Sequence, residues 1–493
     1  MVAIVKRALR RGGARLWIGA LLAVGALFVS VAAPAMALAR PLVTGIAGVD
    51  PLNPVTFDQS RVAGARFVHI VVPWADVAPR NEPASWKPED PADFHYEWAW
   101  LDTTLTEAIG GGLTPVLEIY GAPSWAQRCQ SPAGMEGVLC NPDPVALAAF
   151  ATAAARRYSG HFDGLPHVVF WQALNEPNLS LFFNPQFEGG KPASPRLYRA
   201  LINAFYAAVK SVDPSNLVLT AGLGPIAVPH YTIGPMRFAR LLLCMKGRHH
   251  PRPTGGNCDG GVHFDILDVH PYTTGGPTHR GGPDDVELGD IPKLQSLLRA
   301  ADRAGRIQGQ FKRTPLWITE FSWDSKPPDP GGLSMKIETR WLAEALYRSW
   351  RAGVSHFFWY GLRDELPGPG QSFSETLQSG LYFRGATLEQ DRPKPFLSAF
   401  RFPFVAYPRK GGLFFWGRTP TSEGGKVTIQ ILRHGSWRQA STVLAGADGV
   451  FSGVVPTTYG RDQEGKARAR FAGTTAPPFS MRPVKDFSQP PFG

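Results

Sequence analysis

The feature that most constrains the fold is a repeated unit. Eight short runs rich in β-branched and aromatic residues recur along the chain: LVTGIAGV from Leu42, RFVHIVVPW from Arg66, TPVLEIY from Thr114, HVVFWQAL from His167, NLVLTAGL from Asn216, FDILDVHPY from Phe264, TPLWITEF from Thr314 and SHFFWYGL from Ser355. Most start about fifty residues after the one before, the length of a strand plus a helix and its turns. Several gaps carry an apolar face at helical period, over 100–109, 144–158, 195–212, 291–304 and 336–350. Asp143 before Pro144, and Ser194 before Pro195, read as N-caps followed by proline at the first helical position. Eight βα units close naturally into a (β/α)8 TIM barrel, so the expected fold class is α/β, with the functional rim at the C-terminal ends of the strands.

After Pro408 the pattern changes to short alternating strands with glycine-rich turns: GGLFFWGR, GKVTIQILRHG, WRQASTVLAG, GVFSGVVP and GKARARFAG. This predicts a small antiparallel β-sandwich. The expected division is therefore a leader over 1–39, a barrel over 40–408, a sandwich over 409–482 and a loose proline-rich tail over 483–493. Trp416 and Trp437 are read as the sandwich core or as a binding face.

In the leader, Lys6, Arg7, Arg10, Arg11 and Arg15 precede an apolar run over 16–33 and the small residues Ala35, Ala37 and Ala39. That is the pattern of a secretory signal, and the run is also long enough for an uncleaved membrane anchor. The chain is thus expected to be secreted or held on the outer face of the cell envelope. Four cysteines form two local pairs, Cys129 with Cys140 and Cys244 with Cys258, each around a polar Gly/Pro-containing stretch. We expect two loop-closing disulfides, each worth about 3 kcal/mol on the chain-entropy argument. Zinc is the competing reading, but neither pair has the CxxC spacing it favours.

A formal charge of +11 suggests nucleic acid until it is divided along the chain. The leader holds five cations and no acid before Arg40, and residues 409–493 hold twelve Lys/Arg against five Asp/Glu, which leaves the stretch between at −1. A near-neutral barrel argues against nucleic acid at its rim. The basic C-terminal region is either a solvated face or a weak attractor of acidic polymer or cell envelope.

Two of the predicted strands end in acids. The fourth closes with Leu174-Asn175-Glu176-Pro177 and the seventh with Ile318-Thr319-Glu320-Phe321. Breaking a glycosidic bond takes one carboxylic acid to protonate the departing oxygen and one carboxylate to attack or stabilise the sugar carbon. Glutamates on opposite sides of one barrel mouth supply both; the plainer alternative is that Glu176 caps the next helix while Glu320 pairs with an arginine. Tyr272, at the end of the sixth strand, is suited to donate a hydrogen bond to Glu320. His270 is read either as an orienting group or as a satisfied core histidine. Trp359 offers a flat apolar face for a pyranose ring or else packs in the barrel. Trp74, Tyr120, Trp125 and Trp323 follow strands and, as a group, suggest an extended sugar cleft. Glu118, inside the third strand, is either a third cleft carboxylate or a buried ion-pair partner. P-loop, GxSxG and HExxH motifs are absent from the sequence.

On these residues the chain resembles glycoside hydrolase clan A, the retaining barrel enzymes that include families five and thirty-nine, over roughly residues 42–400. The resemblance implies Glu176 as acid/base and Glu320 as nucleophile. It implies Asn175 bonding the sugar 2-hydroxyl, with His270, Tyr272 and Trp359 lining the central subsite. One departure is His69, which stands in strand two where related enzymes often carry arginine. The implied activity is double-displacement hydrolysis of O-glycosidic bonds, β-linked by preference, in oligo- or polysaccharides. Its alternatives are glycosyl transfer by the same chemistry and a silent carbohydrate-binding or envelope protein on a barrel scaffold. The mechanism calls for no metal or organic cofactor and no obligatory protein partner.

Overall fold

The computed structural model describes residues 40–130, 138–228, 231–255, 258, 260–456 and 465–491. The expected leader lies outside the described residues. All eight predicted runs form parallel strands of one sheet: β1 (Val43–Ala47), β2 (Phe67–Pro73), β3 (Thr114–Tyr120), β4 (Phe170–Ala173), β5 (Leu217–Leu219), β6 (Leu267–Asp268), β7 (Leu316–Ile318) and β8 (Val354–Tyr360). Their order is β6-β7-β8-β1-β2-β3-β4-β5. Parallel bridges from Leu219 to Ile266 and from Leu223 to Val269 join β5 to β6 and close the ring.

Side chains on the inner face are stacked in layers. Val116, Leu219, Ile266, Trp317 and Phe358, with Phe67 and Phe170 packed against them, plug the lower barrel. Above them on β2 and β3 come His69 and Glu118, and above those Val71 and Tyr120, because alternate residues of a strand share one face. The polar floor of the mouth therefore sits on an aromatic plug that keeps water out from below.

The helices that cover the outside follow the predicted periodicity: Ala99–Gly110, Pro144–Arg157, Ser194–Val212, Ile291–Arg303 and Met335–Ala352. Asp143 caps the second of these, accepting from the Val145 amide at 2.8 Å. Ser194 does not cap. It is the first helical residue, is fully buried, and spends its hydroxyl on Gln186 Oε1 at 3.0 Å.

The C-terminal strands form two antiparallel sheets. One has the order β9 (Phe404–Arg409), β10 (Gly412–Arg418), β13 (Val450–Pro456), and the other contains β12 (Ser436–Ala445), β11 (Gly425–Arg433) and β14 (Lys466–Phe471) in that order. Trp416 is core: it is fully buried and packs on Tyr347 and Trp350 of the last long barrel helix, both at 5.6 Å. Arg418, also buried, reaches the first barrel strand, donating to Thr44 Oγ1 at 2.7 Å and to the Leu42 carbonyl at 3.3 Å. Trp437 lies under the Arg468 guanidinium at 4.0 Å. Both disulfides pair as expected, Cys129 with Cys140 and Cys244 with Cys258. Among the described residues no helix is long and apolar enough to cross a membrane.

The stretch expected as a loose tail is tied down. Phe487 packs on Trp341 at 4.8 Å, Gln489 N–H donates to the Thr274 carbonyl at 2.9 Å, and Asp324 N–H donates to the Pro491 carbonyl at 2.9 Å. Proline content signals missing donors and a stiff backbone. It does not forbid docking through carbonyls and neighbouring side chains.

Candidate active site

A cavity of about 630 Å³ opens at the C-terminal rim of the barrel, and Glu176, Glu320, Asn175, Tyr272, His69 and Glu118 all reach its wall. The turn after β4 explains how two consecutive side chains, Asn175 and Glu176, both face it. Leu174 (φ 68°) and Glu176 (φ 37°) adopt left-handed backbone conformations. Residues without a reason avoid that region, at a cost of about 1–3 kcal/mol each. The turn is held by Leu174 N–H donating to the Ile119 carbonyl and Glu176 N–H donating to the Gly222 carbonyl, both at 3.1 Å. Gly222 is required here, since a Cβ on it would fall 1.8 Å from His270 Nε2.

His270 ties the two acids together. It is fully buried behind them, outside the cavity wall. One of its nitrogens, Nδ1, lies 2.9 Å from Glu176 Oε1 and 3.6 Å from Glu320 Oε2, so those two carboxylate oxygens are at most 6.5 Å apart. The other nitrogen, Nε2, is 3.0 Å from Thr319 Oγ1, whose hydroxyl donates to Asp268 Oδ2. With Asp268 ionised, the threonine gives its one proton to that carboxylate and Nε2 carries the proton of its own bond. Nδ1 is then able to accept a proton from Glu176.

The electrostatics separate the carboxyls. Burial pushes Glu176 from an ordinary 4.5 up to about 8. Glu320 is also raised by burial, but His270 and the Tyr272 hydroxyl, which donates to Glu320 Oε2 at 3.1 Å, pull it back down. Glu118 is raised well above the carboxylate range by burial and then by Glu320, Asp268 and Glu176. It stands in the cavity wall between His69 Nε2 at 3.7 Å and Gln172 Nε2 at 3.5 Å. Burial, followed by His270, depresses His69 to about 4, so at neutral pH it is uncharged and bonded to Gln172 Oε1 at 3.1 Å.

Such a site offers one proton donor and one carboxylate, poised over a shared void. A metal is a second chemical use of the same atoms. Among the described residues, His69, Glu118 and Glu320 bring ligand atoms within 4.8 Å of one another. His69 Nε2 is already engaged by Gln172, and a metal there would occupy Glu320.

Asn175 is on the cavity wall, and its Oδ1 is buried without a hydrogen-bond partner. A buried acceptor left open in this way is available for a ligand hydroxyl. The tryptophans expected as sugar platforms are elsewhere. Trp359 is fully buried, donates to the Ser379 carbonyl at 2.7 Å and packs on Phe396. Strand parity is the reason: Phe358 points into the barrel and Tyr360 into the cavity, so Trp359 faces the helices. Trp74 is buried against Phe150, Trp323 is buried and donates to the Gly275 carbonyl, and half-buried Trp125 donates to the Pro79 carbonyl. The aromatic wall consists instead of Tyr120, Tyr272, Tyr360 and Phe182, with Leu179 and Leu181. Tyr360 and the leucines escaped the sequence reading because β8 is apolar on both faces and the loop after Pro177 has no period.

No family model matches the sequence, and no curated protein matches it. Solved structures do resemble it. A family 39 glycoside hydrolase from the gut symbiont Bacteroides cellulosilyticus WH2 superposes with a TM-score of 0.51 at 17% identity, covering 85% of this chain and 79% of that one. A glucosidase from Croceicoccus marinus gives 0.45 at 14% identity, covering 85% and 93%. The GH53 catalytic domain of Ignisphaera aggregans gives 0.45 at 17% identity, covering 75% and 97%. The first likeness establishes the shared barrel fold; the structural neighbours are glycoside hydrolases.

Proposed function

We propose that the protein is a retaining glycoside hydrolase, exported from the cell, in which Glu176 is the acid/base and Glu320 the nucleophile. The observation that carries this reading is the pairing of the two carboxyls through one His270 nitrogen at a single cavity, with Glu176 neutral. The two oxygens that face His270 lie no more than 6.5 Å apart, which is compatible with the separation of about 5–5.5 Å between carboxyl groups used for retention. Glu176 gives its proton to the departing oxygen while Glu320 attacks the sugar carbon. Water, deprotonated by Glu176, then releases the sugar. Tyr272 and Asn175 bear on the nucleophile and on a sugar hydroxyl. Two disulfides fit an oxidising compartment.

A panel of nitrophenyl glycosides and polysaccharides tests the reading. Glu320→Gln should abolish turnover, and Glu176→Ala should keep measurable activity only on aryl glycosides with good leaving groups. Wild-type rates from Glu320→Gln would refute the assignment. Added sugar acceptors distinguish hydrolysis from transfer by the products formed, and sugar binding without turnover by the wild type would favour a silent binder.

A further inference from the structure

The C-terminal segment over 486–491 runs across the rim and reaches the cavity. Its anchors are spread over two loops. Asp486 Oδ1 accepts from Gly276 N–H at 2.5 Å, and its other oxygen lies 3.2 Å from His279 Nδ1. Gln489 is held at both ends, its backbone N–H on the Thr274 carbonyl and its side-chain amide on the Gly331 carbonyl, each at 2.9 Å. Pro491 is held by Asp324 N–H and enters the cavity wall beside Leu377 and Tyr360. Asp324 also accepts from Gln378 N–H at 2.7 Å, joining the segment to the loop that carries Leu377.

The body of the protein is shaped to receive the segment. A Cβ on Gly276 would lie 2.9 Å from both Asp486 Oδ1 and the Trp341 ring, so only glycine lets Asp486 approach. These anchors belong to the loops after β6 and β7, on the side of the mouth that carries Glu320. The loop after β4, with Glu176, Leu179 and Leu181, forms the other side.

We propose that residues 486–491 are a strap that ends the sugar cleft on the Glu320 side and confines the enzyme to chain ends. This inference rests on the functional reading above. An acid on β4 protonates the leaving group, so the departing part of a glycan lies on the Leu179 and Leu181 side. The sugar that bonds to Glu320 lies on the other, and there Pro491 stands where a continuing chain would pass. The expected substrate is the non-reducing end of an oligo- or polysaccharide, and the expected products are short units released from it.

End-labelled oligosaccharides of the glycan cleaved best, together with its aryl monoglycoside, test this on three proteins: the intact chain, an Asp486→Ala/Gln489→Ala variant that unlatches the strap, and a chain truncated after residue 484. The intact chain should release units from one end only. Both variants should show internal cleavage raised by about tenfold or more, with kcat/KM on the aryl monoglycoside held within about threefold. Should truncation prevent folding, the double variant decides. Internal cleavage by the intact chain, or an unchanged product pattern from folded variants that still hydrolyse the aryl glycoside, overturns the strap alone. An intact chain that cleaves no glycoside overturns the functional reading and the strap with it.

Discussion

His270 and Glu176 share a hydrogen bond of 2.9 Å through Nδ1 and Oε1, in a part of the barrel where the imidazole is fully buried. Through Thr319 the imidazole connects Glu176 to Asp268.

The pH dependence of turnover follows from the two carboxyls. Since Glu176 must be protonated, kcat/KM should fall as pH rises through about 8. It should also fall on the acid side as Glu320 takes up a proton, at a pH above that group's ordinary value because burial raises it. A bell-shaped profile on an aryl glycoside checks both limbs, and Glu176→Gln should remove the alkaline one. A flat profile from pH about 6 to 10 would contradict the roles.

Tyr272 should act on kcat more than on KM. Its hydroxyl donates to Glu320 Oε2 and holds that carboxyl down. Tyr272→Phe is expected to lower kcat by about 100-fold, the lower end of the range for loss of one aligned donor, and to move the acid limb upward. Steady-state kinetics across pH would show it.

Trp359 and Tyr360 should part company. Trp359→Ala empties a packed site between sheet and helices and should cost about 3–5 kcal/mol of stability, read as a lower denaturant midpoint. Tyr360→Ala opens the cavity wall and should raise KM at nearly unchanged stability. The opposite pattern would mean that Trp359 is the sugar platform after all.

Stability should decline from about pH 6.5 to 8. Glu176 (about 8) and Asp268 (about 7) have folded-state pKa values above their ordinary 4.5 and 3.8, so their contribution is complete below those values and is lost as pH rises through the folded ones. His69 (about 4) and His356 (about 3) are depressed from 6.5 and act oppositely, but only below about pH 6.5. Glu338 is buried, raised well above its ordinary value, and neither carboxyl oxygen has a hydrogen-bond partner. It acts in the same direction, so Glu338→Gln should flatten the decline. Thermal melts at pH 6.5 and 8 on both proteins would measure the slopes.

Much of the barrel was legible in the sequence, because period and chemistry are local properties. Eight apolar runs became eight strands, and Asp143 capped the helix at Pro144 as its spacing implied. The two strand-terminal glutamates were visible as a pair because a βα repeat sends every strand end to one rim. Ser194 looked like a cap and was not, since Gln186, eight residues before it, claims its hydroxyl.

What the linear chain determined was the repeat, the rim and the residues able to do acid–base work there. What it left open was which face of β8 looks inward, how far burial lifts each carboxyl, and where the last residues lie. Those depend on neighbours distant in sequence: Phe358 against the barrel plug, Glu118 beside Glu320, Pro491 on Asp324. Parity, desolvation and docking are set by packing around a residue in three dimensions, and a strand with two apolar faces carries no mark of which one the fold will turn inward.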